Sequence, residues 1–155
     1  MRKNTIQILC ITAAIAACSG GGQNIIGPEL FIYTATSQVT STNPMRFQTT
    51  VTIGNPTTDQ IEFAPACNIP RVLVYATAAR TGTPIWDSNT RNTACVTVPA
   101  TVKLAAGASV SYSQTVTGSE VLGASGSAGT YYVTDEVTLS GVVSRVTAGQ
   151  VNLTR

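Results

Sequence analysis

The chain has 155 residues, with nine basic and seven acidic side chains and no histidine. This length suits one domain with a proper hydrophobic core rather than two. Without Arg2 and Lys3 the basic and acidic residues balance at seven each, so the chain lacks the basic footprint of a nucleic-acid-binding protein. The absence of histidine excludes Ser-His-Asp and Cys-His catalytic arrangements.

The first predicted element is a lipoprotein signal at residues 1–17. Arg2 and Lys3 form a positive n-region, an apolar run follows, and Ile15-Ala16-Ala17-Cys18 has the form of a lipobox. The run is too short to span a bilayer and ends at the small residues of a cleavage site. We therefore expect Cys18 to carry the lipid. The alternative is an ordinary secretory signal in which Cys18 is incidental.

Residues 18–28 are predicted to be the lipidated cysteine and a flexible tether. Ser19-Gly20-Gly21-Gly22 is the Gly/Ser composition of a linker. A serine rather than an acidic residue after Cys18 is compatible with sorting to the outer membrane. The expected location is therefore the bacterial cell envelope, with attachment to the membrane through an N-terminal lipid.

Residues 29–155 are predicted to form a single antiparallel β-sandwich domain. Short β-like runs alternate with turn residues, and no window has a convincing helical period. The spacing predicts seven to eight strands, with a small barrel as the competing architecture. Segment 78–99 is looser and contains a short apolar piece, and 117–128 is predicted to be a Gly/Ser-rich loop. The predicted strands are 30–39, 45–53, 60–63, 71–77, 101–104, 109–116, 130–139 and 142–153.

The four cysteines separate into two groups. Cys10 leaves with the signal and Cys18 takes the lipid, which leaves Cys67 and Cys95. In an oxidising compartment this pair is predicted to form a structural disulfide. A redox or zinc pair is the alternative, but the chain has neither Cys-x-x-Cys spacing nor histidine.

The loop that this disulfide would bracket, 68–94, contains the candidate partner contacts. Trp86 is the single tryptophan. It is interpreted either as a core anchor or as a contact residue, because aromatic anchors dominate interface energetics. Arg80 and Arg91 flank the same region, and either contact a partner or keep the loop soluble. Loops held on a rigid scaffold are where recognition residues are usually placed.

Elsewhere the residues predict no catalytic site, metal or cofactor. The serines within 123–129 match neither a nucleophile elbow nor a phosphate loop. Asp135 and Glu136 are adjacent acidic residues, but successive strand residues point to opposite faces and make poor calcium co-ligands. They are interpreted as solvated surface residues.

The order of landmarks from about 46 to 139 resembles the BsuPI-type proteinase inhibitor domain. A strand leads into Gly54-Asn55-Pro56-Thr57, and a later segment closes on Pro84-Ile85-Trp86-Asp87. The resemblance implies an immunoglobulin-like β-sandwich. It covers roughly 95 residues, and its further landmarks are 61–63, 72–75, 102–107, 109–112 and 128–133.

The resemblance also implies a protein-binding module of inhibitor type rather than an enzyme. This chain departs from the family in its lipid anchor and in its added cysteines, Cys67 and Cys95. The family's reference activity is inhibition of an intracellular serine protease, and no inhibitory residue carries over to this sequence. The expected partner is a protease or an envelope component. The alternatives are a structural or adhesive accessory lipoprotein of an envelope complex and, third, a hydrolase with a histidine-free site.

Overall fold

The computed structural model describes residues 30–91 and 100–155. Within these ranges the chain forms nine strands, a 3-10 helix at Ser88–Arg91 and one short α-helix, α1, at Gly118–Leu122. None of the helices in these ranges is long and apolar enough to cross a membrane. The strands are β1 Ile32–Thr42, β2 Met45–Gly54, β3 Ile61–Phe63, β4 Arg71–Tyr75, β5 Trp86–Asp87, β6 Val102–Leu104, β7 Ser109–Thr117, β8 Gly129–Leu139 and β9 Val142–Leu153.

The strands form two principal sheets and a ribbon. One sheet has the order β1-β2-β7, the other has the order β5-β4-β8-β9, and β3 pairs with β6. The strand pairings in the described residues are antiparallel. The predicted antiparallel all-β sandwich is therefore confirmed, with nine strands in the described residues instead of the predicted seven to eight. The ninth strand is β5, which the sequence marks only as a short apolar piece.

The period-2 pattern of β2 shows why these segments pair as half-buried strands. Alternate residues from Met45 to Ile53 are buried and the residues between them face outward. β2 is the central strand of its sheet, paired to β1 on one side and to β7 on the other. Its apolar face therefore covers the other sheet along the whole length of the sandwich.

The hydrophobic core consists of two clusters at opposite ends of the sandwich. The α1-end core contains the first half of β2, residues of α1 and the end of β9. The β3-end core contains the second half of β2, strands β3 and β6, and the end of β8. Phe31, just before β1, belongs to the β3-end core, whereas Leu153, the last residue of β9, belongs to the α1-end core. The chain therefore enters the described domain at one end and leaves it at the other.

The β8–β9 hairpin turns on two residues with positive φ, Ser140 at 47° and Gly141 at 85°. Both central residues of a type I′ turn require this conformation, whose twist matches that of the flanking strands. The turn fixes a register in which Leu139 pairs with Val142. The long hairpin carries the buried residues described below.

The sequence prediction of a loop over 117–128 is wrong for its first part, which contains α1. Thr117 caps the helix by accepting from the Glu120 backbone N–H, and the Glu120 carboxylate accepts from the Thr117 backbone N–H at 2.8 Å. This reciprocal capping box holds the first turn. Gly118 is required there, because a Cβ would overlap the Thr154 carbonyl oxygen and crowd Met45.

Candidate functional site

The structure describes some of the sequence-predicted site residues and not others. Cys18 and Cys95 lie outside the described residues. Cys67 lies within them and lines a cavity near the start of β4. Lipidation at Cys18 and a Cys67–Cys95 disulfide therefore remain predictions. Among the described residues, no group of three or more histidine, cysteine or acidic side chains is placed to hold a metal ion.

Trp86 belongs to the α1-end core and is 8% exposed. The guanidinium of Arg91 lies 5.2 Å from the centre of its ring. The same guanidinium donates to both carboxylate oxygens of Glu120 at 2.9 Å, and to the Thr115 carbonyl at 2.9 Å. Trp86 thus occupies the core position that the sequence offered as one alternative, and Arg91 joins the 3-10 helix to β7 and α1.

The segment 76–85 connects β4 to β5, and we call it the β4–β5 loop. Most of its residues are exposed, whereas the flanking residues Tyr75 and Trp86 are buried. The backbone N–H of Ile85 donates to the Val74 carbonyl at 2.8 Å, and that of Arg80 donates to the Thr77 carbonyl at 3.1 Å. The first bond fixes the base of the loop to β4, and the second fixes a turn within the loop.

Arg80 holds the loop onto the sheet with its side chain. Its guanidinium donates to the Gly149 carbonyl and to the Ala78 carbonyl, both at 3.0 Å. It also lies 5.3 Å from the centre of the Tyr132 ring. Arg80 has a φ of 52°, in the left-handed region that a non-glycine residue rarely occupies. In this structure its guanidinium is therefore used to brace the loop.

Ile85 is the contact candidate that the sequence interpretation passed over. It is 46% exposed, whereas the next residue, Trp86, points into the core. Adjacent residues of an extended segment face opposite ways. That alternation was the available sign: if Trp86 is a core residue, Ile85 points outward.

A row of four charged side chains crosses the outer face of the β5-β4-β8-β9 sheet. Arg71 donates to Glu136 at 2.7 Å and, through Nε, to Asp87 at 3.0 Å. Arg145 donates to the second oxygen of Glu136 at 3.0 Å. The Arg71 hydrogen bonds hold the pKa of the Asp87 carboxyl below its usual range, despite partial burial. The charges alternate in sign from strand to strand, so each faces a partner.

The interpretation of Asp135 and Glu136 as solvated surface residues is wrong. Asp135 is 0% exposed and Glu136 is 5% exposed. They do point to opposite faces of β8: Asp135 accepts from Thr49 inside the sandwich, whereas Glu136 lies in the outer charged row. Their partners come from strands distant in sequence, which a local pattern does not show.

A polar cavity of about 210 Å³ lies beside the charged row. The guanidinium of Arg71 at its wall is already bound by two carboxylates. The cavity therefore offers polar atoms to a small ligand. Its lining residues are Ala66, Cys67, Asn68, Arg71, Asn89, Glu136 and Thr138.

No family model and no curated protein matches the chain. A solved structure of a β-glucosidase from Listeria innocua in complex with glucose is similar at 15% identity and a TM-score of 0.36, over 79% of this chain and 17% of that one. The Northeast Structural Genomics Consortium target SoR45 is similar at 12% identity and a TM-score of 0.37, over 82% of this chain and 88% of that one. The chain thus spans a small part of the glucosidase. Similarity at this level carries no argument about function.

Proposed function

We propose that this chain is a lipid-anchored, protein-binding module of the bacterial cell envelope that binds its partner through the β4–β5 loop. The observation that supports the proposal is a loop that is exposed and yet braced. Its backbone is tied to β4 by the Ile85 N–H and to β9 by the Arg80 guanidinium. A loop already held in one conformation loses less entropy on binding than a mobile one.

The position of the loop favours presentation to a partner. Val74 and Trp86, which pair at the base of the loop, belong to the α1-end core, and Phe31 belongs to the β3-end core. A chain anchored through Cys18 enters the domain beside Phe31. The loop then lies at the end of the sandwich opposite the one at which the chain enters.

The exposed side chains of the loop define the contact surface. Thr81, Thr83 and Ile85 are exposed, and Ile85 supplies the largest apolar side chain among them. Arg80 acts behind them as the brace. The surface is small, apolar at one point and surrounded by hydroxyl groups, which resembles the centre and rim of a protein interface.

Within this class, the resemblance to BsuPI-type domains favours a protease as the partner. A braced, solvent-exposed loop suits this role, because a protease binds an extended segment that the inhibitor presents in advance. The predicted Cys67–Cys95 disulfide would close a loop around this region and stabilise the domain by roughly 3.5 kcal/mol.

A structural or adhesive accessory lipoprotein is the second candidate. The outer face of the β1-β2-β7 sheet supports it, because that face carries neighbouring hydroxyl groups. Thr50 lies 2.8 Å from Ser113, and Thr52 lies 2.8 Å from Ser111. A face rich in hydroxyl groups is suited to polar contacts with an envelope component.

Titration of the full chain against a panel of serine proteases tests the proposal. The expected result is stoichiometric inhibition of at least one protease that leaves the chain intact. Ile85→Asp is expected to weaken binding about tenfold or more, as for an anchor at the centre of an interface. Val143→Asp is the matched control, since Val143 is an exposed apolar residue near the hairpin turn at the opposite end.

Failure to inhibit any protease would remove the inhibitor assignment. Capture of envelope proteins by the wild-type chain, lost with Ile85→Asp and retained with Val143→Asp, would then support the accessory role through the same loop. If Ile85→Asp and Val143→Asp bound the partner equally well, the assignment of the β4–β5 loop as the binding surface would be overturned.

The anchor and the disulfide are tested separately. Metabolic labelling with a radioactive fatty acid is expected to mark the wild-type chain and Cys10→Ser but not Cys18→Ser. Peptide mapping without reductant is expected to recover a peptide joining Cys67 to Cys95. Labelling of Cys18→Ser would contradict the lipid assignment.

A further inference from the structure

The centre of the core contains a small polar cluster formed by Thr49 of β2, Asp135 of β8 and Ser37 of β1. The Thr49 hydroxyl lies 2.6 Å from Asp135 Oδ2, and Ser37 is the cross-strand neighbour of Thr49. The buried residues on either side of Thr49 belong to different halves of the core: Phe47 to the α1-end core and Val51 to the β3-end core. The cluster therefore lies where the two halves meet.

The hydrogen bonds of this cluster fit a carboxylic acid better than a carboxylate. Thr49 Oγ1 has one proton but two possible acceptors, Asp135 Oδ2 at 2.6 Å and the Thr36 carbonyl at 3.2 Å. If Asp135 is protonated, it donates to Thr49 Oγ1, and Thr49 then donates to Thr36. Both contacts become hydrogen bonds in that state, whereas a carboxylate leaves one of them without a proton.

The second oxygen of Asp135 supports the same assignment. Oδ1 is buried and has no hydrogen-bond partner, and neither has the Ser37 hydroxyl. Burying an unpaired neutral oxygen costs far less than burying an unpaired charge. The surroundings thus favour the neutral form of the side chain.

Among the residues that the structure describes, no cation lies where it would compensate a charge on Asp135. Val72 of β4 and Val146 of β9 flank Asp135 in the sheet, and Arg71, Arg145 and Glu136 lie on its other face. The titratable side chains on the inner faces of β1 and β7 are Tyr33 and Tyr112, and burial raises the pKa of both, so they stay neutral. α1 contributes Glu120, which is paired to Arg91.

We propose that the Thr49–Asp135 pair is an acid-stabilised brace between the two sheets, which holds the domain most tightly when Asp135 is protonated and loosens it when Asp135 ionises. Burial, opposed in part by the Thr49 hydrogen bond, raises the pKa of Asp135 to about 6. Because this value lies above the ordinary one of an aspartate, the stabilisation is complete below about pH 4. It is lost as the pH rises through 6.

The composition makes this titration easy to observe. The chain has no histidine, so no other side chain with an ordinary pKa changes charge between pH 5 and 8. Stability changes in this interval therefore report chiefly on Asp135. This device is independent of the function proposed above.

Urea unfolding of the full chain at pH 5 and at pH 8 tests the proposal. The unfolding equilibrium constant of the wild type is expected to rise about tenfold between the two values, as follows from a pKa raised by two units. Asp135→Asn, which cannot ionise, is expected to remove this rise. Glu136→Gln, at the neighbouring position on the opposite face, is expected to keep it.

An NMR titration of the Asp135 carboxyl carbon provides a second measurement that does not depend on variants. A midpoint near 6 supports the proposal. A midpoint below 5, a flat wild-type profile or a persistent pH slope in Asp135→Asn would overturn it.

Discussion

Asp135 and Glu136 are consecutive residues of β8, and the strand directs one into the sandwich and the other onto its outer face. Both are almost fully buried. Asp135 has a single hydroxyl as its partner, and Glu136 has two guanidinium groups. Two carboxylates with nearly the same burial therefore have opposite electrostatic surroundings.

The difference shows that two carboxyl groups of similar burial can have quite different partners. At Glu136 two arginines donate to the carboxyl oxygens, whereas at Asp135 only a neutral hydroxyl lies within hydrogen-bond distance. Burial raises the pKa of Asp135, because no such cation lies beside it among the described residues. One residue is thus suited to an ion-pair network and its neighbour to a neutral hydrogen bond.

Arg71→Met should have the largest effect, because it removes the main partner of Glu136. Arg71 is 34% exposed, whereas the Glu136 side chain is 6% exposed, so the buried carboxylate is left with the more exposed Arg145 as its remaining cation. We expect a loss of about 3 kcal/mol in the free energy of unfolding at pH 7, the low end for a broken buried pair. Urea denaturation measures it. A loss below about 1 kcal/mol would mean that Arg145 alone compensates Glu136.

Thr49→Val should have the next largest effect, since it removes the hydroxyl that hydrogen-bonds the inner carboxyl while keeping nearly the same volume. We expect a loss of about 2 kcal/mol at pH 7, the cost of an unsatisfied buried polar group. Thr49→Ser keeps the hydroxyl and is the control. Equal losses in the two variants would assign the effect to packing.

Asp87→Asn tests the outer row at its other end. The pKa of Asp87 is lowered, mainly by the hydrogen bond from Arg71. Its stabilising contribution is therefore present above its ordinary pKa and lost as the pH falls through the lowered one. We expect the variant to lose about 1 kcal/mol at pH 7. The difference from wild type should shrink on acidification, opposite in direction to the effect of Asp135, and unfolding curves at pH 7 and pH 3 compare the two.

Arg145→Met should have the smallest effect. The Arg145 side chain is 64% exposed, so its pair with Glu136 is screened by solvent. We expect a loss of at most about 0.5 kcal/mol, which decreases further at high salt. Unfolding at low and high ionic strength measures it. A loss as large as that of Arg71→Met would contradict the assignment of Arg71 as the main partner.

Much of the fold was predictable because a half-buried β-strand alternates apolar and polar residues, and this alternation is visible in the sequence. The alternation of β2 predicted its buried face, and the predicted strand 142–153 matches β9. Helix α1 was missed because its five residues are too few to show a helical period. The readable sign was the capping pair, Thr117 followed three residues later by Glu120.

The candidate sites were less predictable, because their partners are distant in sequence. Thr49 and Asp135 are 86 residues apart, and Arg71 and Glu136 are 65 residues apart. No local pattern marks these pairs. The same applies to Arg80, whose sequence suggested an exposed contact but whose guanidinium binds the backbone of β9.

The entry and exit of the chain at opposite ends of the sandwich have a mechanical consequence. β1 begins at the β3 end and joins β2 through a ladder of ten residue pairs. In a chain anchored as proposed, tension between the membrane and a partner at the α1 end runs along β1. It loads the ladder in shear, so its hydrogen bonds must fail together rather than one after another. The sandwich would then transmit the tension without unfolding, and the β4–β5 loop would keep its conformation while the force acts.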